Sequence, residues 1–172
     1  MAPKPHRPPL LGEHASEVCG ALDAEPGVAY LDESDPKLRL TGVRVLYLSM
    51  FFAGPVAAQI AVDMGADVIK VESVQRIDGW CGSAFGGTEE LPAWEASPFF
   101  NRVNRNKGDI TLNLTDSWGQ EILKHLVSDA DVLIENFTLR VMANFGLDSE
   151  TLKAIKPRLV MISLSGFGMG TS

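Results

Sequence analysis

The sequence predicts an α/β protein whose core is a parallel sheet with flanking helices. Three observations carry this. Short apolar runs at 43–48, 68–71, 109–114, 131–135 and 159–164 alternate with helix-periodic segments. Residues 40–72 read as strand, tight turn, helix and strand, which is one complete βαβ unit. The chain has 172 residues, 45% hydrophobic and 22% charged, enough for one domain with a real core.

In the βαβ unit, Val43 to Leu48 are mostly β-branched and aliphatic and follow Gly42. Ala53-Gly54-Pro55 then suits a tight entry into a helix, since Pro fits a first helical turn. Val56, Ala57, Ile60, Ala61 and Met64 recur at helical spacing as the expected inward stripe, and Gly65 closes the helix. A ligand is expected where such a first strand feeds its helix, because the helix N-terminus offers free N–H groups there. The turn holds one glycine where G-x-G-x-x-G needs three, so NAD and FAD are not expected. Met50, Phe51 and Phe52 suit an adenine ring or a pantetheine arm, and equally suit an ordinary core.

Residues 73–101 are broken repeatedly by Gly and Pro and read as a long surface loop with Trp80 and Trp94 as anchors. A helical turn follows at 98–102. Asn104-Arg105-Asn106-Lys107-Gly108 is a basic turn: a solvated surface feature, or a grip for phosphate in an acidic protein. Thr115 or Asp116 caps a helix to about 128, with Trp118, Ile122, Leu123, Leu126 and Val127 as its stripe and His125 beside it as a structural residue. The strand at 131–135 ends on Asn136-Phe137, a donor–acceptor amide next to a stacking face. Asp148 or Ser149 caps a helix that Pro157 stops, and the last strand leads to Ser165-Gly166-Phe167-Gly168.

The 22 acidic and 15 basic residues leave a net charge of −7, which argues against non-specific nucleic-acid binding. Two cysteines, Cys19 and Cys81, show no metal spacing and make no disulfide framework, so no metal is expected. No apolar run is long enough to span a bilayer and the N-terminus has no signal-peptide hydrophobic region, so a cytoplasmic protein without membrane contact is expected. Residues 1–39 differ from the rest: a Pro- and basic-rich start, a short helix near 10–18, and an acidic linker at 24–36.

From Leu40 to the last residue the chain resembles the class III CoA-transferases of the CaiB/BaiF type. The resemblance rests on GVRVLYLS…AGP…MGADVIKVE, Asn104-Arg105-Asn106-Lys107, Ala130 to Phe137 (ADVLIENF), Lys156-Pro157-Arg158-Leu159-Val160 and Ser165-Gly166-Phe167-Gly168. It implies a Rossmann-like sheet, here the first half of the family's large domain, and coenzyme A or acyl-CoA as substrate rather than a resident cofactor. It implies Phe52, Ala53, Lys107, Asn136 and Phe137, with Arg105, as coenzyme-A contacts. A carboxylic acid is the second substrate, and the full-length family forms interlocked homodimers. The family's catalytic aspartate lies downstream of the Ser-Gly-Phe-Gly turn, so no catalytic residue is expected within residues 40–172, and this portion alone is expected to be inactive. The chain departs from the family where Leu139-Arg140 replaces a Pro-Gly pair, where Asn144 replaces a basic residue, and where Tyr47 replaces an acidic one. Pro8 to His14 (PPLLGEH) resembles the segment that usually closes such a protein. Residues 1–39 are therefore read as the tail and linker of a preceding family unit, and 40–172 as the start of a second. The related α-methylacyl-CoA racemases, or a non-catalytic nucleotide-binding or subunit-interaction module, are the alternative readings.

Overall fold

A computed structural model describes residues 7–22, 38–81, 92, 94–138 and 140–166. The strands are β1 (Arg44–Tyr47), β2 (Asp67–Glu72), β3 (Gly108–Thr111), β4 (Val132–Glu135) and β5 (Val160–Ser163). They form one five-stranded sheet in the order β3-β2-β1-β4-β5, with every pairing parallel. The helices are α1 (Ala15–Leu22), α2 (Ala53–Asp63), α3 (Pro98–Asn104), α4 (Ser117–Asp129), α5 (Val141–Asn144) and α6 (Ser149–Ile155). The expected α/β class and parallel sheet are what the structure shows.

Alternation along the strands divides the core between two faces. Leu46, Ile69, Ile110 and Leu133 point to one face, where Leu123, Leu126 and Val127 of α4 and Leu152 of α6 cover them. Val45, Tyr47, Val68 and Ile134 point to the other, under Ala58 and Val62 of α2. Caps fix the helix starts: Ser97 accepts from the Phe100 amide, Asp116 from Trp118, and Asp148 from Glu150 and Thr151.

One expected stripe is rotated, and another keeps Ile122, Leu123, Leu126 and Val127 inward but loses its first residue. In α2 the buried side is Gly54, Pro55, Ala58, Gln59 and Val62, whereas Ile60 is 56% exposed. The helix presents its smallest residues at i, i+4 and i+8 to the sheet, which brings it close and turns the larger Ile60 outward. In α4, Trp118 is 75% exposed, because Gly119 sits inward with its Cα against the Asn113 backbone and Trp118 is turned away. His125 is exposed. α3 runs two residues beyond its expected end, and the four-residue α5 has no counterpart in the sequence reading. Trp94 is 44% exposed, so of the two expected loop anchors only Trp80 packs, against Phe99 and Phe51.

The segment 7–22 lies on β3. The Gly12 amide donates to the Asp109 carboxylate, the His14 amide to the Asp109 carbonyl (3.2 Å), and the Leu11 amide to Glu95 (3.0 Å). Ala15 and Val18 of α1 pack on the α4-side core. The segment thereby covers a sheet edge that would otherwise offer unpaired backbone. The expected linker at 24–36 and the residues from Phe167 onward lie outside the described residues. At the opposite edge, Val160 and Ile162 of β5 are 54% and 37% exposed. No described helix is long and apolar enough to cross a membrane.

Candidate active site at the sheet's switch point

β1 has β2 on one side and β4 on the other, so the chain reverses its direction of travel across the sheet between β1 and β4. In open α/β sheets ligands bind beyond the strand ends at such a point. A cleft of about 210 Å3 opens there. Its apolar wall is Leu48, Met50, Leu112, Leu114, Phe137, Val141 and Phe145, with Lys70, Glu72 and Asp78 at its base and Arg76 and Gln75 among its polar residues. Pockets that enclose a drug-sized ligand run to roughly 300–1,000 Å3. This one accommodates one moiety of a longer molecule.

Of the residues singled out by sequence, Phe137 lines the cleft. Asn136 does not reach into it. Its amide binds the β1–α2 turn, donating to the Met50 carbonyl (2.8 Å) and accepting from the Met50 amide (3.0 Å). Phe52 and Ala53 stand exposed at the start of α2, whose N-terminus carries no side-chain cap. Gly54 is buried against Ser49 and Pro55 has no N–H, so the exposed backbone at this helix start is that of Phe52 and Ala53.

Lys107 and Arg105 are not brought to the cleft. Lys107 is 4% exposed, and its ammonium donates to the Val103 carbonyl (2.6 Å), the Pro55 carbonyl (3.0 Å) and Asn104 Oδ1 (3.2 Å), 4.3 Å from the centre of the Tyr47 ring. Arg105 pairs with Asp63 at the end of α2 (3.0 Å) and donates to the Arg102 carbonyl. The basic turn therefore braces α2 and α3. Arg140 is exposed, in the left-handed conformation (φ 77°) ahead of α5.

Beneath the cleft lies a buried charge network that the sequence reading missed. Lys70 is 1% exposed and reaches the Tyr47 hydroxyl (2.9 Å), Asp78 (3.1 Å) and Glu72 (3.4 Å). Burial works against its charge, but Tyr47, Glu72 and Asp78 outweigh that and hold it above the ordinary lysine range. The Tyr47 hydroxyl donates to Asn104 Oδ1, and burial keeps the phenol un-ionised. Asp78 also accepts from the Phe51 amide (3.2 Å) and the Trp80 amide (3.0 Å). Phe51 is left-handed (φ 67°), a conformation that a bulky residue keeps only when its surroundings impose it. Here Asp78 holds its amide, and its ring lies over Gly79, where a Cβ would come within 2.1 Å of the ring. Lys70 and Glu72 alternate with Ile69 and Val71 in a strand, so nothing in the pattern separates them from core-facing positions. The one signal was two charges in an otherwise apolar run buried on both faces.

Asp109 is fully buried between β2 and the 7–22 segment. Burial, and then the charge of Glu72, push its carboxyl up to about 8 against the favourable Gly12 amide. An unfolded Asp titrates near 3.9. Between those values the native state holds a proton that the unfolded state has lost, so this group's contribution to stability is fully present below pH 4 and is lost as pH rises through about 8. Asp109→Asn, which stays neutral, is expected to be more stable than the parent at pH 8 by on the order of 1–2 kcal/mol. Little difference is expected at pH 4. Urea melts at the two pH values check this, and an equal pH dependence in both proteins would contradict it.

The domain is a parallel five-stranded α/β unit with a largely apolar cleft beyond the ends of β1, β2 and β3, with Phe137 after β4 also lining it. The family model for CoA-transferase family III matches residues 40–172, and the chain belongs to that family. It is 39% identical over 134 residues to an acyl-CoA transferase of Fusarium pseudograminearum, covering 75% of this chain and 29% of that one. It is 39% identical over 140 residues to a succinate–glutarate CoA-transferase of Agrobacterium fabrum, covering 80% and 34%. Among solved structures, a CAIB/BAIF family protein from Brucella suis matches with a TM-score of 0.68 and 39% identity, over 80% of this chain and 36% of that chain. The chain thus spans about a third of the length of the relatives it matches.

Proposed function

We propose that this chain supplies the acyl-CoA-binding part of an enzyme that moves coenzyme A from an acyl-CoA to a carboxylic acid. The supporting observation is the cleft at the β1/β4 switch point, inside the stretch that matches the family. The ligand would place one moiety against Phe137 and extend over the Met50 turn to the exposed start of α2 at Phe52 and Ala53. Arg76 would meet its anionic groups at the cleft. Asn136 holds the turn in place. Lys107 and Arg105 serve the site by fixing α2 and α3 and not by touching the ligand.

In this reading the reacting carboxylate is an aspartate from a part of the enzyme beyond these residues. It attacks the thioester carbonyl and displaces the CoA thiolate, leaving an acyl anhydride. The thiolate then attacks the anhydride at the enzyme's carbonyl, releases the first acid and forms an enzyme-bound thioester. A second acid repeats the exchange in reverse. A carboxylate is a weak nucleophile, and the apolar wall contributes by keeping water from it. The working enzyme is proposed to be a cytoplasmic homodimer.

Calorimetry of the purified chain with coenzyme A, acetyl-CoA and ATP tests the binding half of this. Coenzyme A is expected to bind more tightly than ATP, and Phe137→Ala to weaken it about tenfold, the effect of losing one aromatic contact. Equal binding of ATP and coenzyme A, or no binding by a folded sample, would overturn the proposal that the site is complete in this chain.

A further inference from the structure

The β1–α2 turn is held by a side chain from beyond the end of each neighbouring strand: Asn136 after β4 and Asp78 after β2. We propose that Asp78 is a positioning residue for the ligand. It fixes the turn from the β2 side as Asn136 fixes it from the β4 side, so that Phe52 and Ala53 meet acyl-CoA in one arrangement. The identity of the ligand rests on the acyl-CoA reading, whereas the hold on the turn rests on contacts alone.

Backbone groups of the turn are taken up in succession. The Leu48 amide donates to the Ile134 carbonyl (2.8 Å), and Asn136 takes both the Met50 amide (3.0 Å) and the Met50 carbonyl (2.8 Å). The Phe51 amide donates to Asp78 Oδ1 (3.2 Å), and the Phe52 carbonyl accepts from the Val56 amide (2.9 Å) as α2 begins. Asp78 is itself moored. Its Oδ2 accepts from Lys70 Nζ of β2 (3.1 Å), which also donates to the Tyr47 hydroxyl of β1 (2.9 Å). Its Oδ1 further accepts from the Trp80 amide (3.0 Å) in the short helical turn Gly79–Cys81. A carboxylate acceptor makes such bonds stronger than a neutral one does.

The consequence falls on Phe51. Its left-handed φ of 67° is costly for an aromatic residue, and such outliers cluster at ligand sites. Two contacts impose it. One is the bond from its amide to Asp78, and the other is the seat of its ring on Gly79, where an added Cβ would collide with the ring. The ring then meets Trp80 edge-on (centroids 6.3 Å apart, planes at 70°), and Trp80 lies against Phe99 (4.8 Å). With Phe51 drawn toward Asp78, the turn carries Phe52 and Ala53 outward, and Phe52 is 61% exposed. A cap for Gly79–Cys81 needs only an acceptor for the Trp80 amide, which a serine or threonine supplies. The second bond, to an amide 27 residues earlier, and the buried lysine behind it exceed what a three-residue turn requires.

NMR and calorimetry on the full chain test this, with Asp78→Ala, Asp78→Asn and Gly79→Ala beside the parent. In the parent the Gly79 α-protons are expected to carry a ring-current shift from Phe51, and the Phe51 amide to be protected from exchange. Asp78→Ala should abolish the shift and speed Phe51 amide exchange about tenfold, while amides 122–127 of α4 stay protected and show the domain folded. Coenzyme A binding should weaken about tenfold with it. Asp78→Asn keeps an oxygen for the two amides and loses only the pairing with Lys70, so binding within about threefold of the parent is expected. A role confined to balancing the charge of Lys70 predicts instead that the two variants bind alike. Gly79→Ala leaves the carboxylate in place and displaces the ring, and should match Asp78→Ala in binding. If Asp78→Ala does not fold, Gly79→Ala and Asp78→Asn decide. Asp78→Asn as weak as Asp78→Ala, or an unchanged Phe51 amide and Gly79 shift in Asp78→Ala, overturns the hold on the turn. An altered turn with parental coenzyme A affinity overturns its link to the ligand. A parent that binds no coenzyme A refutes the acyl-CoA reading and the ligand's part in this proposal, and the exchange data then decide the hold by themselves.

Discussion

Lys70→Met is expected to remove about 3–5 kcal/mol of stability, the usual consequence of breaking a buried ion pair from one side. Lys70 is the single cation between two carboxylates, Glu72 (3.4 Å) and Asp78 (3.1 Å), and all three are buried. Methionine fills its volume and leaves both acids without a counter-charge. A domain has about 5–15 kcal/mol in all, so the variant should be barely folded at neutral pH. Acid should restore part of the loss. Glu72 is already held above the ordinary range by burial, with Lys70 working against that rise. Without Lys70 its native pKa climbs further above the unfolded value. Stability is then kept while the group is protonated and lost as pH rises through that native pKa. Denaturant melts at pH 5 and pH 8 should show a smaller deficit at pH 5. Adding Asp78→Asn should recover part of the deficit at pH 8, because one of the stranded charges is gone. A deficit independent of pH and untouched by Asp78→Asn would mean that the cluster is not held by its charges.

Lys107→Met is expected to lower stability by on the order of 2–3 kcal/mol, from three lost hydrogen bonds and buried acceptors left unpaired. The Val103 carbonyl is in the last turn of α3, where no helical partner exists, and Lys107 serves as that helix's C-terminal cap. Its bond to the Pro55 carbonyl ties the same cap to the first turn of α2. The variant's melting temperature should fall, and any binding loss should recover once the sample is kept cold enough to remain folded. A Lys107→Met protein of unchanged stability that nonetheless loses coenzyme A selectively would show that the side chain leaves its pocket to meet the ligand.

The parallel sheet was legible because each of its strands is an apolar run followed by a turn signal and a helical period. The helices were legible too, with Asp116 and Asp148 capping as their positions imply. Helix rotation was not. Ile60 and Trp118 are the larger apolar residues of their stripes, but small Ala58 and Gly119 decide how closely each helix sits, and the larger side chains turn outward. Phe137, expected at the ligand through the family resemblance, lines the cleft. Lys107 is expected at the ligand through the family resemblance, and in this structure its Nζ is buried and donates to the Val103 and Pro55 carbonyls, a burial that no pattern in the sequence announces. Tyr47, read only as a departure from the family, is where Lys70, Asn104 and Lys107 meet.

The pairing of Asn136 with Met50 sets the shape of the opening. Side-chain amide and main-chain amide exchange two hydrogen bonds, as two residues of paired strands would. β1 and β4 are thus stitched together beyond the last rung of their ladder, and the gap between them is closed like a hem. A ligand cannot thread between these strands toward the α2 side. The ligand proposed above would lie on the α4 side, along Leu48 and Phe137, and cross the hem only at its rim.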